Sequence, residues 1–360
     1  MPRRSDPAEV PSLAEVARRA GVSAATASRA IHGAAGRAVS PELRDRVLAA
    51  AAELGYVVNP NAQAMARGRA DVLGLIVQDI GDPYFSTVAA GVMREARAST
   101  VLVTLGDTQR DPAEELAYVR AFRSNRARAI VIVGSRTSHR AINDELAAEL
   151  ARFSSEGGRA VAVTQPRVPI DVIAVDNRGG AAGLAGALHD LGYRRFGILA
   201  GPEQLLTAAE RTAGFREGLA GRGVHLFDEE VSPGSFVWNG GYDTTAELLK
   251  GDNLPECLFA VNDVMALGAM ACLREHGVRV PEDIAVAGFD DIPTLRDVTP
   301  GLTTVRIDLD EIGRKACRLA LSDAARVPRI ETLTGETVIR ASTPEVNAPV
   351  RRPAGTTPPA

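Results

Sequence analysis

The stretch LAEVARRAGVSAATASRAIHG, residues 13–33, is rich in alanine, yet its helical pattern breaks at Gly21-Val22-Ser23 and resumes at once. A single long helix has no reason to stop there. Ser12 is placed to cap a helix, and Glu15, three residues on, can reach back to it. Leu13, Val16, Ala17 and Ala20 then fall at i, i+3, i+4 and i+7, one apolar stripe. Gly21 suits the left-handed position that ends a helix. Ser23 is placed to cap a second helix over 24–31. Two short helices joined around a glycine read as a helix-turn-helix, whose second helix enters the major groove while the first crosses the backbone. An αα-hairpin inside a core would carry the same Gly and Ser, so the motif alone leaves both readings open.

Outward from this stretch, a third helix opens at Ser40-Pro41 and closes at Gly55. Asn59-Pro60 is a further cap-plus-proline signal. Residues 61–69 have no apolar stripe and read as a linker that is marginally helical by itself. Charge sets this region apart. Residues 1–70 hold ten arginines, no lysine and six acids, a formal +4; the whole chain carries −4, which leaves −8 for the remainder. A basic head on an acidic body points to a polyanion as the head's partner, although a solvated arginine-rich surface gives the same count.

From Val72 the rhythm changes. The apolar runs VLGLIV (72–77), VLVTL (101–105), AIVIV (129–133), AVAVT (160–164), VIAV (172–175), FGILA (196–200), CLFAV (257–261) and IAVAG (284–288) alternate with helix-length segments. Such runs, bounded by Gly, Pro and Asp, indicate βαβ units and parallel sheets. Eight strands over this length exceed one tidy sheet and predict two α/β lobes, with residues 169–175 as the crossover. Strand and helix signals at 302–307 and 308–325 predict a return to the first lobe. The proline-rich tail from Pro344 reads as disordered.

With 360 residues, 45% of them hydrophobic, the chain can build more than one core. No run of 18 apolar residues predicts a membrane span, and the charged opening MPRRSDP has no apolar stretch behind it, so a cytoplasmic protein is expected. The cysteines at 257, 272 and 317 have no zinc spacing and suit a reducing compartment. The five histidines form no ligand set, and neither a Gly-x-Gly-x-x-Gly turn nor a Walker lysine is present. No metal, no cofactor and no catalytic residue are expected, and the chain is not expected to be an enzyme.

The head stretch, extended through VSPELRDRVLAAAAELGYVVNPNAQAMARG, resembles the DNA-binding head of the LacI family of transcriptional regulators. The resemblance continues through LGLIVQDIGDPYF (73–85), DNRGGAAGLAGALHDLGYRRFGILAGP (176–202), ERTAGF (210–215), FAVNDVMALGAMACLREHGVRVPEDIAVAGFDDIP (259–293) and TPGLTTVRIDLDEIGRKA (299–316), in order and with matching spacing. It implies an α/β protein. An all-α helix-turn-helix head (1–58) and a hinge helix (59–70) precede a two-lobed, periplasmic-binding-protein-like effector domain (71–345) and a tail (346–360). Lobe 1 is expected over about 71–170 and 302–328, and lobe 2 over about 171–300 and 329–345.

The resemblance also implies roles. Double-stranded operator DNA would be met by Ser12, Leu13, Ser23, Ala24, Ala25, Thr26, Ser28, Arg29 and His32 of the head and by Asn59, Ala62, Met65 and Ala66 of the hinge. Arg29 is the most informative, since a guanidinium can bond two acceptors of guanine at once. Ala24 and Ala25 can only pack, for instance on a thymine methyl. His32 stands where the family often has Asn. Met65 replaces the leucine that the family wedges into the minor groove. A small metabolite, most often a sugar in this family, would lie between the lobes against Phe85, Gln165, Thr207, Arg211, Phe236, Asn262 and Asp290. Asn262 and Asp290 also suit helix caps, Phe85 also suits a core position, and Asp291 competes with Asp290. Gln165 stands where many members carry Asp, and Leu205 where purine-responsive members carry Arg. The expected assembly is a homodimer with no membrane partner. The alternative is a two-lobed sugar-binding protein, or an enzyme acting on a sugar or nucleoside, without a regulatory role.

Overall fold

The computed structural model describes residues 11–32, 39–57, 70–323 and 327–346. The chain divides into two compact units, residues 1–70 and 71–360.

The head contains α1 (Leu13–Ala20), α2 (Ala24–His32) and α3 (Pro41–Glu53). Ser12 and Glu15 form the capping box, and Gly21 ends α1 at φ 64°. That left-handed conformation costs an L-residue with a side chain roughly 1–2 kcal/mol, which is why glycine stands there. Ser40 caps α3 through Leu43 N. Val16, Ala17, Ala20, Ala27, Ala30, Val47, Ala50 and Ala51 form the small core, with Leu13, Val22, Ile31, Val39, Leu54 and Tyr56 packed around it. Alanines at the crossing points let three short helices approach closely, so one face of each is apolar and the others stay free for a partner.

In the body, β1 (Ala70–Val77), β2 (Leu102–Asp107), β3 (Ala127–Val133), β4 (Arg159–Val163), β5 (Asp171–Val175) and β11 (Ile330–Leu333) form one six-stranded sheet in the order β11-β5-β4-β3-β1-β2. Alternate side chains of β1 and β3 enter opposite cores. Leu73, Leu75, Val77, Ala129, Val131 and Val133 meet α4 (Pro83–Ala98) and α11 (Leu309–Leu321). Ile76, Ile130 and Ile132 meet α5 (Pro112–Ser124) and α6 (Arg140–Ser155). Strands covered on both faces must be apolar throughout, which explains the continuous runs in the sequence.

The second lobe holds the parallel sheet β7-β6-β8-β9, built from β6 (Phe196–Ala200), β7 (Val231–Pro233), β8 (Cys257–Ala260) and β9 (Ala285–Ala287). Helices α7 (Asn177–Asp190) and α8 (Leu206–Ala220) pack as one pair, and α9 (Trp238–Leu248) and α10 (Asp263–Glu275) as another. The α7–α8 approach is close: a Cβ on Gly214 would lie 2.2 Å from Arg178 O. A two-stranded ribbon of β10 (Thr304–Arg306) and β12 (Glu336–Val338) accompanies the return crossings.

All eight expected runs contain a strand, but three lobe boundaries differ from the sequence reading. Residues 171–175 are not the crossover; they are β5, inside the first sheet and parallel to β4 and β11. The first crossing follows at Asp176, which caps α7. The segment 329–333, expected in lobe 2, is β11 of the first sheet. Conversely, 302–306 belongs with lobe 2, where Thr303 bridges Ala287 and Arg306 bridges Asp290. The chain thus crosses three times, after β5, after β10 and after β11. Of the tail, 344–346 is ordered against lobe 2: Val346 N donates to Leu191 O at 2.8 Å, and Tyr193 Oη to Pro344 O at 2.8 Å. Residues 347–360 lie outside the described residues.

Candidate functional site: a helix face in the head and a cleft in the body

In the head, Ala24 and Ala25 are exposed at the start of α2, and Thr26, Ser28 and Arg29 follow half-buried. Ala27 and Ala30 point into the core, so these five positions share the outward side of the helix. Arg29 lies back along its own helix, with Nε donating to Ala25 O at 3.2 Å and Nη2 to Thr26 Oγ1 at 3.4 Å. Ser23 Oγ bonds Thr26 Oγ1 at 2.8 Å and accepts from Thr26 N at 3.2 Å. These contacts are local and exposed, so a phosphate or base edge can replace them at little cost. Arg19 is differently placed: it is held by Glu53 at 2.7 Å. Ser12 works as the cap of α1, and Leu13 packs against the head core. His32 ends α2, and its side chain lies outside the described residues, as do Asn59, Ala62, Met65 and Ala66.

In the body, a cleft of ≈ 530 Å³ opens where the carboxyl ends of the strands of both sheets converge. All seven candidate residues line it: Phe85, Gln165, Thr207, Arg211, Phe236, Asn262 and Asp290. Most follow a strand or open a helix, and Arg211 lies in the second turn of α8. The cleft therefore gathers side chains as far apart in sequence as Phe85 and Asp290.

Arg211 is the electrostatic centre. It is 3% exposed and forms a fork with Asp290, with Nη2 to Oδ1 at 2.7 Å and Nη1 to Oδ2 at 3.2 Å. Nη1 also donates to Val261 O at 2.9 Å, and Nε donates to Asn177 Oδ1 at 2.9 Å. The guanidinium lies 3.9 Å from the centroid of the Phe289 ring. Burial pushes the Asp290 carboxyl up to about 6, against the pull of Arg211. Behind it, Asp263 accepts from Thr304 Oγ1 at 2.7 Å and Ile292 N at 3.0 Å. Burial, reinforced by the Asp290 charge, pushes Asp263 up to about 7. The competition between neighbours is settled by geometry. Asp290 enters the cleft at φ 117°, whereas Asp291 binds Arg306 and Arg340, each at 2.6 Å.

The other residues divide by what they already hold. Asn262 caps α10, accepting from Met265 N at 2.9 Å, and still lines the cleft. Phe85 is 5% exposed and belongs to the core as well as to the cleft wall. Gln165 is fully engaged by protein. Its Oε1 accepts from Arg136 N at 2.9 Å, and its Nε2 donates to Thr207 Oγ1 at 2.9 Å and Glu210 at 3.2 Å. It therefore works here as a strap between lobes. The strap lies beside a latch in which Leu206 N donates to Arg136 O at 3.0 Å and Ser138 N to Gln204 O at 2.8 Å.

Sequence reasoning missed several wall residues: Gln78, Asp82, Tyr84, Ser135 and Asn177. Asp82 caps α4 by accepting from Tyr84 N at 2.9 Å, and burial raises its carboxyl above the usual range. Arg110 pairs with Asp82 at 3.3 Å and lies 5.6 Å from the Phe85 centroid and 5.9 Å from that of Phe236. It joins the aromatic walls of the two lobes by cation–π contact. Asp82-Pro83, a cap followed by proline directly after the first strand, was a legible signal. Arg110 offered none.

Aromatic faces and a few convergent polar groups lining one cleft suit a small polar ligand. Among the described residues there is no group of three or more His, Cys, Asp or Glu side chains able to hold a metal ion, and no helix is long and apolar enough to cross a membrane.

Comparison with known proteins agrees with both halves of this geometry. Residues 12–59 match the family model "Bacterial regulatory proteins, lacI family", and residues 185–343 match "Periplasmic binding protein-like domain". The HTH-type transcriptional regulator GalS of Salmonella typhimurium is 32% identical over 317 residues, 87% of this chain and 90% of that protein. Among solved structures, the lac repressor dimer bound to operator and the anti-inducer ONPF aligns with TM-score 0.79 at 26% identity, covering 93% of this chain and all of that one. The complex of the transcriptional regulator CelR with cellobiose aligns with TM-score 0.66 at 28% identity, covering 92% and 99%.

Proposed function

The chain belongs to the lacI family of bacterial regulatory proteins and is a transcriptional regulator; we propose that it binds a pseudo-palindromic operator as a homodimer, as a repressor, and is switched by a sugar held between its lobes. The reading places it in the cytoplasm. The observation that carries it is the pairing of two features in one chain: an outward helix face bearing Arg29 and an interlobe cleft centred on Arg211 and Asp290. The lac repressor dimer on its operator and CelR with cellobiose supply the parallels for DNA and for a sugar.

Mechanism follows from the two parts. Base edges are read early in α2, with Arg29 able to grip guanine and the two alanines limited to methyl contacts. Residues 59, 62, 65 and 66 of the hinge segment are assigned to the minor groove, with Met65 as the wedge. A sugar stacks between Phe85 and Phe236 and offers hydroxyls to Asp290, Arg211 and Asn262. Binding to the closed form alone shifts the lobe equilibrium, and a preference of about 5.5 kcal/mol would carry it from one state almost wholly to the other. Leu205 and the strap at Gln165 favour a neutral sugar over a purine.

The test has two arms. Sequencing the genomic DNA that the purified protein retains identifies the operator. A thermal-shift screen with pentoses, hexoses and nucleosides identifies the ligand class, because a ligand bound only by the folded form raises the melting point. Retention of no defined site removes the regulatory mechanism, and turnover of a candidate sugar would favour an enzyme instead.

A further inference from the structure

On the far side of the interlobe latch lies a second cavity of ≈ 450 Å³. It shares Gln78 and Ser135 with the main cleft. Gln78 holds the Ser135 backbone from both ends: Nε2 donates to Ser135 O at 3.1 Å, and Ser135 N donates to Oε1 at 3.2 Å. Lobe 2 contributes Leu205, whose backbone pairs with Thr137.

Charge inside this cavity is balanced. Arg136, 3% exposed, donates Nη1 to Glu115 at 2.7 Å and Nε to Thr164 Oγ1 at 3.3 Å. Arg110 and Asp111 complete two positive and two negative groups. Two polar atoms are left unanswered. Asn143, 8% exposed, donates Nδ2 to Thr137 O at 2.8 Å, while its Oδ1 has no hydrogen-bond partner. Arg110 Nε has none either. A buried polar atom without a partner is destabilising, and both sit on residues lining one space. One needs a donor and the other an acceptor. A neutral hydroxyl group is both, whereas an anion would repel Asn143 Oδ1 and a cation would repel Arg110.

We propose that this cavity is a second saccharide compartment. Its occupant is the far ring of a two-unit saccharide whose first ring lies in the cleft, or a separate monosaccharide. The proposal rests on the sugar reading of the cleft. An occupant touching Thr137 and Leu205 braces the latch and so favours the closed lobes.

Calorimetric titration of the full chain with galactose, ribose and cellobiose tests this, using Ile142→Trp to fill the cavity and Asn143→Leu to remove the unanswered carbonyl. If the occupant is a second ring, both variants weaken cellobiose about tenfold, the worth of one good hydrogen bond, and leave the monosaccharides unchanged. If it is a separate molecule, two monosaccharides bind the parent chain and one binds each variant. Equal affinity and one-to-one stoichiometry for every sugar in all three proteins overturns the compartment and leaves the cleft reading standing. A parent chain that binds none of the sugars fails the cleft reading itself, and the compartment with it. Ile142 is a half-buried side chain outside the main cleft, so its variant keeps the test valid if Asn143→Leu folds poorly.

Discussion

Replacing Arg211 with methionine keeps the unbranched stem and removes the guanidinium. It leaves the buried Asp290 carboxylate, Val261 O and Asn177 Oδ1 without their donor. Removing one partner of a buried ion pair costs about 3–5 kcal/mol, because the other charge stays buried and alone. That lowers the melting temperature of a unit this large by on the order of 10 °C. The deficit is pH-dependent with a definite sign. The folded Asp290 carboxyl is already raised to about 6, so folding is favoured as pH falls and stability is lost as pH rises through that value. Without Arg211 the carboxyl rises further and holds its proton when folded. As the pH falls from 7.5 to 5.5 the variant therefore gains more stability than the parent, and the gap between them narrows. Urea unfolding read through Trp238, the sequence's single tryptophan, measures both stabilities. A deficit under about 1 kcal/mol at pH 7.5, or one that does not change with pH, would refute the assigned role of this pair.

Other outcomes follow from the same geometry. Arg29→Ala lowers operator affinity by about 1–3 kcal/mol in fluorescence anisotropy and leaves sugar binding in calorimetry unchanged. Gly21→Val destabilises the head by roughly 1–2 kcal/mol through the φ of 64° alone, since a Cβ there meets nothing within 4 Å; Gly21→Asn loses less, and helical melting of the head compares them. Asp263 is raised to about 7, so the parent loses stability as pH climbs from 5 to 8, and isosteric Asp263→Asn flattens that slope in urea titrations. Thr304 Oγ1 can then accept the new amide proton, which keeps the site paired.

Most strands that sequence reading located are buried on both faces, as β1, β3, β4, β5, β6 and β8 are over most of their length; β2, an edge strand with Leu102 exposed, was found from its apolar residues alone. It missed β7 and β12, three residues each, and β11, whose IETL alternates exposed and half-buried at a sheet edge. The missing β11 also misled the lobe boundaries, because a strand returning to the edge of the first sheet has no apolar run to announce it. The head was legible because its caps are local: Ser12, Gly21, Ser23 and Ser40 act within four residues. The cleft was legible only where the family resemblance marked a position, as for Arg211 and Asp290. Arg110 acquires its role from Asp82, Phe85 and Phe236, partners from both lobes that only the fold brings together. Gln165 lines the cleft as expected, and the turn at Ser135 and the start of α8 also hold both ends of its amide.

The central claim is that this chain grips a defined duplex and that a ligand in its body changes the grip. The direct measurement is anisotropy of a labelled duplex recovered from the genome, titrated with the full chain at several salt concentrations, with and without the sugar that raises its melting point. The account predicts tight binding that weakens steeply with salt, as counterion release requires, and a shift in affinity of at least about fivefold when the sugar is added. Affinity for that duplex no better than for unrelated DNA at low salt, or affinity indifferent to a sugar that demonstrably binds, would contradict it.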